Sequence, residues 1–291
     1  MVWVPDRARA LRGPEAIAMV AAVLGAVVAY PASGQMFRDQ IYRPPTHRLD
    51  MTNLPAEADT IRVRAADGTE LTGIEVRGRS DRPLILLFHG NGSGADEAVR
   101  WFAPLAQRGY GIIAAEYRGY SGNPGTPGEA GIAQDADAFY AFAKARSQRR
   151  PVLVVGHSLG GGVAFGLAMR QRLDALITIG TFTRLRAMAP RIARAFIADR
   201  YDNLAAVAAL DEPYFLLHGT VDDVVPPAMA NELHNAAVHS RKQGASFALS
   251  GADHHPDGAL VADIIDLLTA QSRGLSPPPL PPSVKTYPFG G

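Results

Sequence analysis

The chain has 291 residues, 47% of them hydrophobic, enough to bury a substantial core in one α/β domain. Its formal charge of +1, with no basic stripe interleaved with aromatics, argues against a nucleic-acid partner. The lack of cysteine excludes disulfides, thiolate metal sites and a cysteine nucleophile, and leaves the redox compartment open.

Arg7, Arg9 and Arg12 precede a run from Ala16 to Phe37 with no charged residue, most densely apolar over Ala16–Tyr30. A basic flank stays cytoplasmic, which sends the chain beyond it across the membrane. The dense part suits the hydrophobic region of a cleaved signal peptide, with small residues at Ala32-Ser33-Gly34. The longer uncharged stretch suits an uncleaved anchor, and that is the preferred reading. Residues 1–39 are therefore expected to be a membrane anchor or signal segment, and the rest to be extracytoplasmic, periplasmic in a bacterium.

Gln40 to Glu57 is irregular and proline-bearing. Thr60–Ala65 and Glu70–Arg77 alternate as strands, and the intervening Asp67-Gly68 is a hairpin signal. Leu84–Phe88 is a continuous apolar run of the kind buried on both faces of a parallel sheet. It leads into His89-Gly90-Asn91-Gly92-Ser93-Gly94, which lacks the spacing of a phosphate-binding loop, and then a helix expected over Asp96–Gln107. Gly111–Ala115 is the next strand, followed by the loop Glu116–Gly122, in which Arg118 reads as an organiser of the loop. Glu129–Ser147 reads as a helix. Its Asp135 and Asp137, two apart, lie on different faces and form no carboxylate pair.

Val152–Gly162 carries the strongest signal. Apolar, mostly β-branched residues run into Gly156-His157-Ser158-Leu159-Gly160, and a small-residue helix follows. Strand, sharp turn and helix N-terminus place a serine at the tip of the turn. The two glycines allow strand and helix backbones to approach where a Cβ would collide. The Ser158 hydroxyl is then presented beyond the end of the sheet, and the Leu159 amide, at a helix start, points toward any oxyanion formed there. The Gly-rich loop after Leu84–Phe88 would bring the second such amide, that of Asn91.

Ala175–Ile179 is another buried strand, and Thr183–Leu210, rich in Arg and Ala, has helical periodicity but is too short for a large lid. Pro213–Leu217 ends in His218-Gly219-Thr220-Val221-Asp222-Asp223, where a carboxylate that orients a histidine should lie. Asp222 is preferred for that carboxylate over Asp223, which has an alternative duty as a cap near the helix that Pro226 starts. Ala245–Leu249 ends in Asp253-His254-His255, and a terminal helix spans Gly258–Ser272. His254 is the preferred base, with His255 second. His47, His234 and His239 read as packing or surface residues, and His89 and His218 as braces for their loops. The tail 274–291 is proline-rich and expected to be disordered, which leaves 40–273 as the folded domain.

Ser158, Asp222 and His254 occur in the order Ser…Asp…His, each just past a strand. A serine hydroxyl is a weak nucleophile at neutral pH. It needs an imidazole to take its proton and a buried carboxylate to fix the tautomer and stabilise the imidazolium. Such chemistry calls for no metal and no cofactor.

From about Thr46 to Gln271 the chain resembles the compact α/β-hydrolases that include lysophospholipid lipases and protein depalmitoylases. The resemblance is carried by His89-Gly90-Asn91-Gly92, Tyr117-Arg118-Gly119-Tyr120, Gly156-His157-Ser158-Leu159-Gly160, Arg200-Tyr201-Asp202-Asn203, His218-Gly219-Thr220-Val221-Asp222 and Gly251-Ala252-Asp253-His254. Ser121 stands where the family usually has a third glycine. The resemblance implies a mostly parallel eight-stranded sheet with helices on both faces and a minimal cap. It also implies a membrane-associated serine hydrolase acting on carboxylic esters or thioesters. Peptidase or amidase activity is the alternative, and a non-catalytic binding protein of the same fold the more remote one.

Overall fold

A computed structural model describes residues 41–189, 191 and 194–290. The expected membrane anchor or signal, residues 1–39, lies outside the described residues. Among those described, no helix is long and apolar enough to cross a membrane.

Nine strands form one sheet in the order β1-β2-β4-β3-β5-β6-β7-β8-β9. They are Ala58–Arg64, Glu70–Val76, Leu84–Phe88, Gly111–Ala115, Val152–His157, Ala175–Ile179, Tyr214–Gly219, Gly244–Leu249 and Val284–Pro288, numbered β1 to β9. The six from β4 to β8 along the sheet pair in parallel. The β1–β2 hairpin and β9 are attached antiparallel at the two edges. Every residue of β3, β4, β5 and β6 is buried, as continuous apolar strands covered on both faces must be. Among the described residues seven helices accompany them, at Ala95–Trp101, Ala103–Gln107, Glu129–Ser147, Leu159–Ala168, Asn203–Ala209, Pro227–His239 and Gly258–Ser272, numbered α1 to α7. The apolar sides of α1, α2 and α7 close one core with Ile85, Leu87, Val155, Ile177 and Leu217. Helices α3 to α6 pack on the other face.

β3 lies between β4 and β5, so the chain direction across the sheet reverses there. Loops leaving the C-terminal ends of β3 and β5 diverge to opposite faces and leave a crevice between them, the usual ligand position in open α/β sheets. The Asn91 loop follows β3, and Ser158 follows β5.

Three expectations are corrected. The sheet has nine strands and not eight, because the tail carries one: Val284–Pro288 pairs with β8, and Phe289 is buried with its ring stacked 5.5 Å from that of Tyr214. Proline content pointed to disorder, but the β-branched and aromatic residues after Pro282 cover an otherwise open edge. The helix expected over Asp96–Gln107 is two helices. Pro104 has no N–H to offer the carbonyl four residues back, and the helix breaks at Phe102. Among the described residues of 183–210, the continuous helix gives way to 3₁₀ turns at Leu185–Met188 and Arg194–Phe196 and the short α5. Glu129 accepts from the amides of Arg200 and Tyr201, and Tyr201 adopts a left-handed φ of 38°. Helix α5 begins only after Asp202, which caps the Ala205 amide.

Candidate active site

The turn after β5 has the expected strain. Ser158 sits at φ 53° and ψ −115°, half-buried at the start of α4. Its amide donates to the Ile179 carbonyl at 2.9 Å, which ties the turn to the end of β6. A Cβ on Gly156 would lie 2.3 Å from the Gly160 carbonyl oxygen, and one on Gly160 would lie 2.1 Å from that of Phe88. Neither position accepts a side chain. Leu159 is the first residue of α4, so its N–H is among those with no acceptor within the helix.

Asp222 and His254 are brought together. His254 Nδ1 is 2.8 Å from Asp222 Oδ2, and the Asp222 side chain is wholly buried. The other oxygen, Oδ1, accepts from the amides of Val224 at 3.0 Å and Val225 at 2.7 Å. His218 Nε2 approaches Oδ2 at 3.3 Å and also meets the Val225 carbonyl at 2.9 Å. Donors therefore surround the carboxylate. Because Nδ1 of His254 faces a carboxylate, it carries the proton and leaves Nε2 with the lone pair. His255 goes elsewhere: its ring packs 4.6 Å from that of His157 and, with Trp101, lines a cavity of about 250 Å³ beside Asn91. Asp223 is exposed and caps no helix.

The backbone under this pair is specialised. Gly180, at the end of β6, has φ +56°, and a Cβ on it would sit 3.1 Å from His254 Nδ1 and 3.3 Å from Asp222 Oδ2. His157 donates from Nε2 to the His254 carbonyl at 2.9 Å and so fixes the loop that carries His254. Burial, then the nearby imidazoles of His254 and His255, push His157 well below the ordinary histidine value, so it stays a neutral donor. Burial likewise lowers His218, against the pull of the Val225 carbonyl and of Asp222.

The loop 89–92 is held from β4. His89 Nε2 pairs with Glu116 Oε1 at 2.8 Å, and Glu116 Oε2 accepts from the Ala95 amide at 2.9 Å. Burial alone would lower His89, but the Glu116 charge and hydrogen bond outweigh it and leave the ring raised. The Tyr117 hydroxyl donates to the His89 carbonyl at 2.8 Å, and that of Tyr120 to Asn91 Oδ1 at 2.8 Å. Arg118 is the expected organiser: it chelates buried Asp135 and reaches Asp67 in the β1–β2 turn at 2.7 Å. Asp137 faces Arg170 instead. Among the described residues, no cluster of His, Asp and Glu could hold a metal ion. Sequence reasoning missed Gly180, the contact of His218 with Asp222, and the tyrosine braces. A glycine or histidine after a strand is a weak local signal, and each of these roles is defined only by a partner distant in sequence.

The family described as serine aminopeptidase, S33 matches residues 79–205. An uncharacterized protein of Mycobacterium tuberculosis is 31% identical over 266 residues, 86% of this chain and 92% of its own length. The lysophosphatidylserine lipase ABHD12 of Rattus norvegicus is 34% identical over 187 residues, 56% of this chain and 47% of the lipase, so the chain spans about half of that protein. Among solved structures, an α/β hydrolase of Vibrio vulnificus superposes with a TM-score of 0.68 at 18% identity, covering 83% of this chain and 94% of that one. The esterase domain of a Rhodothermus marinus protein superposes with a TM-score of 0.57 at 21% identity, covering 75% and 98%. With its nine-stranded, mostly parallel sheet and these structural likenesses, the chain has the α/β-hydrolase fold, and it belongs to one family with the Mycobacterium tuberculosis protein matched along nearly its whole length.

Proposed function

We propose that this α/β-hydrolase is a serine hydrolase that cleaves carboxylic esters or thioesters. Ser158 is the nucleophile, His254 the general base and then acid, and Asp222 the carboxylate that orients it. The backbone N–H groups of Asn91 and Leu159 form the oxyanion hole. The observation that carries this reading is the buried 2.8 Å contact between Asp222 and His254, at the same end of the sheet as the strained Ser158 turn. In the reaction His254 Nε2 removes the Ser158 proton as Oγ attacks the carbonyl carbon, and the two amides hold the resulting oxyanion. Collapse expels the alcohol or thiol with the proton from His254. Water then attacks the acyl-enzyme by the same route and releases the acid. The lipase and esterase names among the similar proteins support an ester substrate, with a lipid acyl chain or headgroup as the class to test first.

Fluorophosphonate labelling of the purified protein and of Ser158→Ala tests the nucleophile, and a p-nitrophenyl ester series of increasing chain length then sets acyl preference. Labelling should vanish in the variant; labelling that persists there assigns the activated serine elsewhere. The match to the serine aminopeptidase family favours one second reading, amide cleavage at a free amino terminus. Aminoacyl p-nitroanilides turned over faster than esters would select it. The uncharged run Ala16–Phe37 behind Arg7, Arg9 and Arg12 supports a membrane-anchored, extracytoplasmic enzyme. Release of the full chain from membranes by alkaline carbonate would reject the anchor.

A further inference from the structure

The stretch that precedes β1 runs against the candidate site. Tyr42 is 2% exposed, and its hydroxyl lies 2.6 Å from Asp199 Oδ2 and 3.3 Å from the Tyr201 hydroxyl. Tyr201 in turn packs on α4, where a Cβ on Gly162 would fall 2.8 Å from its ring. One residue on, the main-chain N–H of Arg43 donates to Asn91 Oδ1 at 2.8 Å, and the Arg43 carbonyl oxygen passes over Gly92. Further along, the Asp50 amide donates to buried Asp96 Oδ2 at 3.3 Å, and Arg100 donates to the Asp50 carbonyl at 2.6 Å. The segment is a strap fastened at both ends, and Pro44-Pro45 stiffens the span between.

Asn91 Oδ1 receives two donors, Arg43 N–H from the strap and the Tyr120 hydroxyl from the loop after β4. A main-chain N–H can only donate, so the atom it meets is the amide oxygen and Tyr120 donates to it as well. With that oxygen held from both sides, the rotation of the Asn91 side chain is restrained.

We infer that the strap is part of the oxyanion apparatus: the Arg43 N–H and the Tyr120 hydroxyl are positioning groups that hold Asn91 by its side-chain oxygen and thereby aim its backbone N–H at the developing oxyanion. This rests on the proposed role of the Asn91 amide. Such a donor acts through being fixed before charge develops, so loosening it should slow turnover and leave ground-state binding nearly unchanged. Full loss of one donor costs about 10²–10³ in kcat, and a donor that has lost one of its two supports should forfeit on the order of tenfold.

The test uses the full chain and two variants that each remove one support. Tyr120→Phe keeps the ring and deletes the hydroxyl, and Arg43→Pro deletes the N–H. Ester hydrolysis is measured together with inhibition by phenylboronic acid, whose tetrahedral serine adduct mimics the oxyanion. The expected result is kcat lower by about tenfold in each variant, a matching rise in the boronate inhibition constant and KM within about twofold. The melting temperature should be nearly unchanged. Unaltered kcat in Tyr120→Phe overturns the inference, even if Arg43→Pro does not fold. So does a fall in kcat matched by loss of substrate binding and of thermal stability, which would make the strap a purely structural element. Failure of the underlying reading is separately visible, as absent fluorophosphonate labelling of the unaltered protein.

Discussion

Replacing Asp222 by Asn asks whether the carboxylate acts through the tautomer of His254. Oδ1 is pinned by two backbone N–H donors, at 3.0 and 2.7 Å, and a side-chain amide can meet two donors only with its oxygen. The NH₂ group is then forced into the Oδ2 position, 2.8 Å from His254 Nδ1. To avoid opposing two donors, the imidazole must turn Nδ1 into the acceptor and carry its proton on Nε2, where it can no longer take a proton from Ser158. Turnover should fall by about 10³–10⁴, equivalent to roughly 4–5.5 kcal/mol of barrier. The same NH₂ would also face the Nε2–H of His218, 3.3 Å away, at a modest cost in stability of about 1 kcal/mol. The assay is kcat against pH with a p-nitrophenyl ester, alongside calorimetric unfolding and the downfield proton resonance of Nδ1–H, which should disappear. Exposed Asp223→Asn should change none of these. A folded Asp222→Asn enzyme within tenfold of the unaltered rate, or the loss appearing in Asp223→Asn instead, would rule out this role for Asp222.

Gly180→Ala combines a left-handed φ with a Cβ 3.1 Å from His254 Nδ1. It should cost about 1–2 kcal/mol, a few degrees in Tm, and about tenfold or more in kcat as the Asp222–His254 pair is displaced; a Tm loss with full activity would show that the pair tolerates the methyl. The lowered values of buried His157 and His218 mean that the unfolded chain binds protons first as the pH falls below about 6.5, the ordinary histidine value. Stability should therefore drop on acidification from there, by at most about 1.4 kcal/mol per pH unit per residue. The raised His89 acts in the opposite sense: its contribution is complete below about 6.5 and is lost as the pH climbs through its folded value. Urea titrations across this range should show a shallower acid slope in His157→Phe, and an unchanged slope would remove His157 as a source of the acid sensitivity. Deleting the chain from Leu275 onward removes β9 and Phe289 and bares the edge of β8. Loss of the buried phenylalanine alone is worth about 1.5–3 kcal/mol, so Tm should fall by roughly 5–10 °C; an unchanged Tm would make the tail dispensable.

Much of this protein is legible in local patterns. The buried strands β3 to β6 are built on largely apolar runs; β3, β4 and β6 end where those runs end, while β5 continues two residues further, into Gly156 and His157. The turn around Ser158 is local on one side only: Gly156 lets β5 approach Gly160 within five residues, whereas the missing side chain of Gly160 makes room for the Phe88 carbonyl of β3. Chain order alone suggested Asp222 and His254, because both come after parallel strands that must end on the same side of the sheet. Local pattern failed where a distant partner overrode it. Proline-rich composition pointed to a disordered tail, yet Val284–Pro288 found the open edge of β8. Helical periodicity in Thr183–Leu210 gave way where Glu129 held the Arg200 and Tyr201 amides.

The strands, the Ser158 turn and the order of Ser158, Asp222 and His254 are all written in the amino-acid order, since each depends on backbone preferences and hydrophobic periodicity over a few residues. Folding in three dimensions was needed to choose His254 over His255, to seat the pair on Gly180, and to lay the strap across Asn91. Those outcomes depend on which side chains meet across separations of tens of residues, and no local propensity encodes such a meeting.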